Sequence, residues 1–348
     1  MRKLLLLLAI AVAVAAAHAA SYPEPVSASF TIAQFQFSGG ETMAGLKLHY
    51  TTIGTRNGNN AVLILHGTGG SGRAFLSERF AGHLFGEGQP LDATKYFIIL
   101  PDAIGHGDSS KPSDGLRARF PHYGYADMVT TQYRLVTEAL GISHLHLVMG
   151  TSMGGMHSWM WGERYPGFAD ALFALASAPV AIAGRNRMIR RTIVDSIRND
   201  PEWREGEYAA QPRGLTNALY GLLFMLSVPL QFHAEAPTMA EADRFFDDWI
   251  RSRRSLYDAN DLLYQFEASA DYDPSRDLEK ITAPLFAVNS ADDQVNPPEL
   301  GILEREIKRV KRGRYILLPI TSATRGHGTH SMPEVWGGYL KELLVLSK

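Results

Sequence analysis

The chain contains no cysteine, and this absence excludes several kinds of chemistry. Without thiols there is no disulfide, no thiolate metal site, no cysteine nucleophile and no cysteine that could carry a lipid. Net charge is also scarce, −2 by formal count, and no cluster of lysine or arginine alternates with aromatic residues. We therefore expect no nucleic-acid partner. Any catalysis has to use serine, histidine and carboxylate side chains.

One long uninterrupted apolar run lies at the N-terminus. It follows a basic tripeptide, spans residues 4–16 and precedes Ala17-His18-Ala19, whose small residues occupy the alternate positions that a signal peptidase reads. The run is shorter than the ~20 residues that cross a bilayer. We therefore expect residues 1–19 to be a cleaved export signal, the mature protein to be periplasmic or secreted, and no stable membrane insertion after cleavage. No pattern indicates an oligomeric state.

Short apolar segments that alternate with helical patterns predict an α/β fold. The strand-like segments are residues 61–65, 96–100, 145–149, 171–176, 285–288 and 315–318. The clearest helical patterns are residues 126–140, 153–164, 298–310 and 332–346. Continuous apolar strands between helices indicate a mostly parallel sheet that is covered by helices on both faces. Ahead of them, the alternation in residues 30–37 and 46–53 predicts an antiparallel hairpin.

The strand signal disappears between Pro179 and Thr282, where four helical patterns follow one another. We predict that residues 20–180 and 281–348 are two parts of one core and that residues 181–280 are a helical cap inserted between them. Within this segment, residues 222–226 are all apolar. They either line an acyl pocket from above or pack between helices, and the sequence leaves both open.

Ser152 lies in the run Gly150-Thr151-Ser152-Met153-Gly154-Gly155, between a predicted strand and a predicted helix. This is the setting of a nucleophile elbow, a sharp turn that holds a serine hydroxyl clear of the sheet edge. Glycines two residues to either side let strand and helix approach without a Cβ clash. We predict that Ser152 is the nucleophile.

A serine hydroxyl needs a base beside it, and the base needs a carboxylate that fixes its tautomer. Asp293 and His327 each follow a later predicted strand, in the order Ser, Asp, His that this sheet type uses. Asp292 and His330 are the competing choices. Asp293 is favoured because it lies four residues before Pro297, and His327 because glycines flank it.

The negative oxygen formed by serine attack must be met by two backbone N–H groups. We predict that Met153, next to the nucleophile, supplies one and that Thr68, in the glycine-rich loop after residues 61–65, supplies the other. This loop is not a phosphate loop, because no Gly-Lys-Ser/Thr follows its glycines. His144 and His146 share a strand face but lack an obvious third ligand, so no metal is expected.

Several further segments carry a family resemblance. They are Leu48-His49-Tyr50-Thr51-Thr52-Ile53-Gly54-Thr55, Asp127-Met128-Val129, the elbow continuing into Gly155-Met156, Arg164-Tyr165-Pro166, and the Asn-x-x-x-Arg spacing of Asn186 and Arg190. With them the chain resembles the α/β-hydrolase superfamily and, within it, the homoserine O-acetyltransferase-like branch. The resemblance implies an α/β-hydrolase fold, a serine acyl-enzyme mechanism and a helical lid. It also implies that Arg190 faces the substrate, although Arg190 could instead pair with a carboxylate of the cap.

Two segments depart from that branch. Its acetyltransferases usually have His-Ala-Leu-Thr-Gly at the oxyanion loop and Gly-Cys-x-Gly-Ser further on, where this chain has His66-Gly67-Thr68-Gly69-Gly70 and Ile104-Gly105-His106-Gly107-Asp108-Ser109-Ser110. Both replacements are typical of plain hydrolases. The expected export signal agrees with them, because acetyl-CoA is a cytoplasmic metabolite.

We therefore expect an exported serine hydrolase that cleaves a small-molecule carboxylic ester without a cofactor. An acetyl-CoA-dependent O-acyltransferase of the homoserine O-acetyltransferase type is the alternative, in which an alcohol replaces water. A non-catalytic binding protein on the same fold is a third hypothesis. No motif identifies the acyl or the alcohol part of the substrate.

Overall fold

The computed structural model describes residues 21–347, so the expected export signal at residues 1–19 lies outside the described residues. The fold is built on one eight-stranded sheet with the order β1-β2-β4-β3-β5-β6-β7-β8. Its strands are β1 (Val26–Gln36), β2 (Thr42–Ile53), β3 (Ala61–Leu65), β4 (Phe97–Pro101), β5 (Leu147–Thr151), β6 (Leu172–Leu175), β7 (Leu285–Ser290) and β8 (Gly313–Leu318). The first two strands form an antiparallel hairpin that joins β4, and β3 to β8 are parallel.

Ten α-helices accompany the sheet within the described residues. They are α1 (Glu78–Leu84), α2 (Tyr125–Arg134), α3 (Met153–Arg164), α4 (Gly184–Arg198), α5 (Arg213–Leu226), α6 (Pro229–Glu235), α7 (Met239–Arg254), α8 (Ala259–Glu267), α9 (Ile302–Glu306) and α10 (Pro333–Leu346). In β3, Leu63 and Leu65 pack in the core that holds α2 and α3, whereas Val62 and Ile64 pack in the core that holds α1 and α10. A strand buried on both faces has to be apolar throughout. The predicted α/β-hydrolase fold, a mostly parallel sheet with helices on both faces, is therefore confirmed.

The segment between β6 and β7 contributes helices and no strand to the described structure. Five helices, α4 to α8, lie there, and we call them the cap helices. Among residues 21–347, no single helix is long and apolar enough to cross a membrane, and only the pair α5 and α6, bent by 105°, reaches that length and composition together.

Two helix predictions need correction. Residues 298–310 do not form one helix: a short turn ends at Gly301, whose φ of 63° leaves the right-handed helical region, and α9 begins after it. The pattern over residues 126–140 is α2 followed by a π-helical turn at Leu135–Ala139. The short helices α1 and α6 were not predicted.

Candidate active site

Ser152 stands at a turn whose backbone is strained. It joins the end of β5 to the start of α3 with φ 54° and ψ −112°, a region that non-glycine residues rarely occupy. The flanking glycines explain how such a tight turn fits. A Cβ at Gly150 would lie 2.1 Å from the backbone of Gly154, and a Cβ at Gly154 would lie 1.9 Å from the carbonyl oxygen of Leu65. The turn therefore presents the serine side chain at the carboxyl edge of the sheet.

The structure brings Ser152, His327 and Asp293 together in one hydrogen-bonded row. His327 Nε2 lies 2.8 Å from Ser152 Oγ, and His327 Nδ1 lies 3.0 Å from Asp293 Oδ2. An ionised carboxylate only accepts, so the Nδ1–H of His327 donates to Asp293 and Nε2 is left to accept from the serine hydroxyl. All three side chains are buried. This is the arrangement that converts a serine hydroxyl into a nucleophile.

Asp293 is held by the loop that follows β7. Its Oδ1 accepts from the backbone N–H groups of Val295, at 2.7 Å, and Asn296, at 3.2 Å. Burial by itself would raise the pKa of Asp293, but the neighbouring His327 and these hydrogen bonds outweigh it, and the pKa lies below its usual value. The carboxylate is consequently ionised at neutral pH and can stabilise an imidazolium at His327.

The two competing residues have other contacts. Asp292 accepts hydrogen bonds from the hydroxyl groups of Ser290 and Thr324, the latter at 2.9 Å, so it braces the loop instead of the histidine. His330 packs edge-on against His327 with the ring centres 5.3 Å apart. Burial lowers the pKa of His330 to about 3, with a further contribution from His327, so its ring is neutral at physiological pH. Neither residue bonds to Ser152.

A cavity of about 210 Å³ opens at Ser152 between the sheet edge and the cap helices. Leu222, Met225 and Leu226 of α5 line it, so the apolar stretch of residues 222–226 contributes to the pocket wall. Phe75 and Phe80 also line the cavity. These two aromatic residues were not predicted as site residues, because they lie in a short turn and in α1, where no extended periodicity marks a helix.

The two expected oxyanion donors flank the nucleophile. Thr68 lines the cavity, and Met153 is the first residue of α3, whose N–H has no partner within its own helix. The backbone hydrogen bonds of the described residues use neither N–H as a donor. The Thr68 hydroxyl is likewise buried without a hydrogen-bond partner there. This edge of the cavity therefore has free donors for a developing negative oxygen.

Arg190 is a buried cation in the wall of the same cavity, with 2 % of its surface exposed. Its Nε donates to Asn186 at 2.9 Å and its Nη1 to the Ser269 hydroxyl at 3.1 Å, while the guanidinium lies 5.4 Å from the ring centre of Phe266. No carboxylate among residues 21–347 forms an ion pair with it. The alternative that Arg190 pairs with a cap carboxylate is therefore wrong.

Two further histidine clusters lie outside this site. His144 and His146 both contact one carboxylate, that of Asp170, at 2.7 and 3.2 Å, before the amino ends of β5 and β6. In the other cluster, His49, Asp102 and Asp108 bring possible ligand atoms within 4.8 Å of one another, and Asp102 also accepts from the Gly72 N–H at 2.7 Å and the Asp108 N–H at 2.9 Å. Both carboxylates thus serve the packing of loops.

Comparisons with known proteins agree with this geometry. A family model described as alpha/beta hydrolase fold matches residues 60–315. The homoserine O-acetyltransferase of Pelobacter propionicus is 31 % identical over 341 residues, covering 86 % of this chain and 90 % of the relative. The homoserine O-acetyltransferase of Carboxydothermus hydrogenoformans is 30 % identical over 333 residues, covering 82 % and 86 %.

Solved structures of both transferases and esterases share the fold. A homoserine O-acetyltransferase from Bacillus anthracis aligns with a TM-score of 0.81 at 21 % identity, over 92 % of this chain and 97 % of its own. The acetyl esterase MekB aligns with a TM-score of 0.81 at 24 % identity, over the same two shares. With the matched family model and these relatives, the chain belongs to the alpha/beta hydrolase fold family, in the branch that contains the homoserine O-acetyltransferases.

Proposed function

We propose that this protein is an acyltransferase of the homoserine O-acetyltransferase type, which moves an acyl group through Ser152 to the hydroxyl of a small acceptor that carries a carboxylate. The curated relatives at 31 and 30 % identity support this order of the hypotheses, which places transfer ahead of the ester hydrolysis expected first from the sequence. The observation that carries the proposal is Arg190, a buried cation that lines the Ser152 cavity without a carboxylate partner among the described residues.

The proposed reaction uses the row of three side chains twice. Ser152 Oγ attacks the acyl carbonyl of the donor while its proton passes to His327 Nε2, and the N–H groups of Thr68 and Met153 hold the negative oxygen. His327 then gives the proton to the departing thiolate or alkoxide, which leaves an acyl-enzyme. The acceptor hydroxyl loses its proton to His327 and attacks the acyl carbon. His327 returns that proton to Ser152 Oγ as the bond between the acyl carbon and the serine oxygen breaks.

Arg190 would position the acceptor in this scheme. A buried cation is costly unless an opposite charge or several hydrogen bonds compensate it, and its described partners are one amide oxygen and one hydroxyl. A carboxylate of the acceptor would supply the missing charge. A cavity of about 210 Å³ suits a short acyl group together with a small acceptor.

Ester hydrolysis is the second candidate, and two segments favour it. The oxyanion loop at residues 66–70 and the segment at residues 104–110 differ from the transferase pattern and match plain hydrolases. In this case water takes the place of the acceptor hydroxyl, loses its proton to His327 and releases the acid. The acyl-enzyme at Ser152 is common to both reactions.

Two assays on the purified protein separate the candidates. Acetyl-CoA with homoserine reports transfer as free thiol, p-nitrophenyl acetate reports ester hydrolysis, and Ser152→Ala is the blank for both. We expect homoserine-dependent thiol release. Ester turnover with no thiol release would favour the hydrolase instead. If a fluorophosphonate fails to label the folded protein at Ser152, the non-catalytic binding hypothesis gains.

The role of Arg190 has its own test. Arg190→Gln should raise the KM for homoserine by about 10- to 100-fold, because it removes a hydrogen-bonded ion pair. Turnover of p-nitrophenyl acetate, which has no carboxylate, should change by less than about threefold, and Arg190→Lys should restore part of the homoserine affinity. Equal losses with both substrates would contradict a role in acceptor binding.

Export remains a proposal that bears on the same choice. Cleavage after residue 19 would separate the mature protein from cytoplasmic acetyl-CoA and favour the hydrolase. Intact-mass analysis of the protein from its native cell fractions measures this directly. A full-length mass in the cytoplasmic fraction would exclude cleavage and leave the donor accessible.

A further inference from the structure

A second cavity, of about 280 Å³, is separate from the Ser152 pocket. Its walls come from Met156 of α3, the segment after β6, the first turn of α4, the loop after β7, α9, and Tyr315 of β8. It shares no lining residue with the Ser152 pocket. Its volume is close to the lower end of the range of about 300–1,000 Å³ that ligand sites occupy, so it suits a small molecule.

The walls of this second cavity are mainly aliphatic. Val180, Ile182, Val295 and Leu303 contribute to them. The charged lining residues are Arg185 and Glu304, both exposed, so one cation and one anion stand toward solvent and none is enclosed. An ionised ligand would have no buried counter-charge inside, whereas an uncharged aliphatic one would bury its surface at no such cost.

One polar atom of the wall lacks a partner. The hydroxyl of Tyr315 is buried and forms no hydrogen bond within residues 21–347. Burial raises the pKa of Tyr315 to about 12, so the group is a neutral donor at physiological pH. Buried polar groups in proteins are almost always hydrogen-bonded, and a ligand oxygen would satisfy this one.

Two side chains in the walls of the second cavity form hydrogen bonds with Asp293 and Arg190 of the Ser152 site. Asn296 donates from its side chain to Asp293 Oδ2 at 3.3 Å and to the Ala176 carbonyl at 2.9 Å. Asn186 accepts the hydrogen bond from Arg190. A molecule in the second cavity would therefore contact Asn296 and Asn186, the residues that hold Asp293 and Arg190 in place.

We propose that this cavity is a second binding site, for an uncharged and mainly aliphatic molecule with one hydroxyl or carbonyl oxygen. A medium-chain alcohol is the simplest member of that class. The inference stands apart from the proposed function, because it requires neither acyl transfer nor hydrolysis at Ser152.

Calorimetric titration of the whole protein with 1-octanol tests the proposal. We expect one binding event in the wild type, retained in Leu222→Trp, which fills the Ser152 pocket instead. Ile182→Trp fills the second cavity and should weaken binding at least about tenfold.

Tyr315→Phe should weaken the binding of 1-octanol by about 2- to 12-fold, the range for one neutral hydrogen bond. Each CH₂ removed from the alcohol should cost about a factor of four.

Other results would overturn the proposal. Binding lost in Leu222→Trp but kept in Ile182→Trp would place the alcohol in the Ser152 pocket. If the wild type shows no binding up to the solubility limit of 1-octanol, the proposed ligand class is wrong.

If circular dichroism shows that Ile182→Trp does not fold, Ala183→Phe at the exposed rim replaces it. If the wild type self-associates and Ala183→Phe makes it monomeric, the cavity is an interface between two copies and the ligand proposal is wrong.

Discussion

Adjacent aspartates after β7 have different partners, and this difference sets their roles. Asp293 is bound to His327 and to two backbone N–H groups, whereas Asp292 is bound to Ser290 and Thr324. Both side chains carry the same charge and lie one residue apart. A comparison of the two therefore isolates the contact with the imidazole from the general effect of a negative charge in this loop.

We predict that Asp293→Asn lowers kcat/KM by about 10⁴-fold, because the amide no longer fixes the Nδ1–H tautomer or stabilises the imidazolium. Asp292→Asn is the matched control and should cost less than about tenfold. The measurement is steady-state turnover with whichever substrate proves active. Comparable losses in the two variants would mean that Asp293 acts only through loop structure.

Part of the candidate site could be predicted from single residues and their neighbours in the chain. Ser152 could be predicted because strand, glycines and helix are local in the chain, and Asp293 and His327 could be ranked because they follow strands of one parallel sheet. The spacing to Pro297 favoured Asp293, whereas the contact between Asp292 and Thr324 had no local signal because the two residues are distant in sequence. The role suggested for Arg190 came from the family resemblance alone, because an isolated arginine in a helix has no distinctive pattern.

The packing of α3 against the sheet depends on glycine at its first turn. A Cβ at Gly154 would lie 1.9 Å from the Leu65 carbonyl oxygen, a contact that neither backbone can accommodate without moving. Gly338 in α10 is the opposite case, since nothing lies within 4 Å of the Cβ position there. The same substitution at these two helical glycines should therefore have effects of opposite sign.

We predict that Gly154→Ala lowers the free energy of unfolding by about 1–3 kcal/mol, as overpacking and backbone displacement do. Gly338→Ala should raise it by about 0.5–1 kcal/mol, because alanine loses less entropy in a helix. Urea unfolding of both variants against the wild type measures the pair. A neutral Gly154→Ala would show that strand and helix separate at little cost.

Elements were predictable in proportion to their length and regularity. The boundaries of α3 and β3 agree with the predicted ones, since both are uniform and buried. The helix expected over residues 298–310 is interrupted at Gly301, whose left-handed backbone conformation depends on the tertiary fold and has no signal in the apolar pattern. Helix α1 has only seven residues, shorter than the window over which helical periodicity can be recognised.

Several buried histidines affect the stability of the whole molecule. Burial lowers the pKa of His66, His106, His157 and His330, to about 3 for the last two. The folded protein therefore keeps these rings neutral, while the unfolded chain protonates them near pH 6.5. Their contribution is fully present above that pH and is lost as the pH falls from about 6.5 toward the folded values.

His157→Gln tests this pH dependence of stability without changing Ser152, His327 or Asp293. His157 lies behind the elbow, is 1 % exposed and accepts from the Gln132 amide at 3.1 Å, which a glutamine oxygen can also do. Between pH 5.5 and 4.5 the unfolding free energy of the wild type should fall more steeply than that of the variant, by about 1.4 kcal/mol per pH unit. Parallel slopes in urea titrations would mean that His157 already titrates in the folded state.

The Asn296 side chain connects the two sites, since it lines the second cavity and donates a hydrogen bond to Asp293 of the Ser152 site. If Ser152 accepts acyl groups as proposed, substitutions meant to change their range should therefore avoid Asn296. Leu222 and Met225 are the better places for such engineering, because they face the Ser152 side only. Substitutions at these two positions of α5 should change the shape of the pocket and preserve the hydrogen bonds between Ser152, His327 and Asp293.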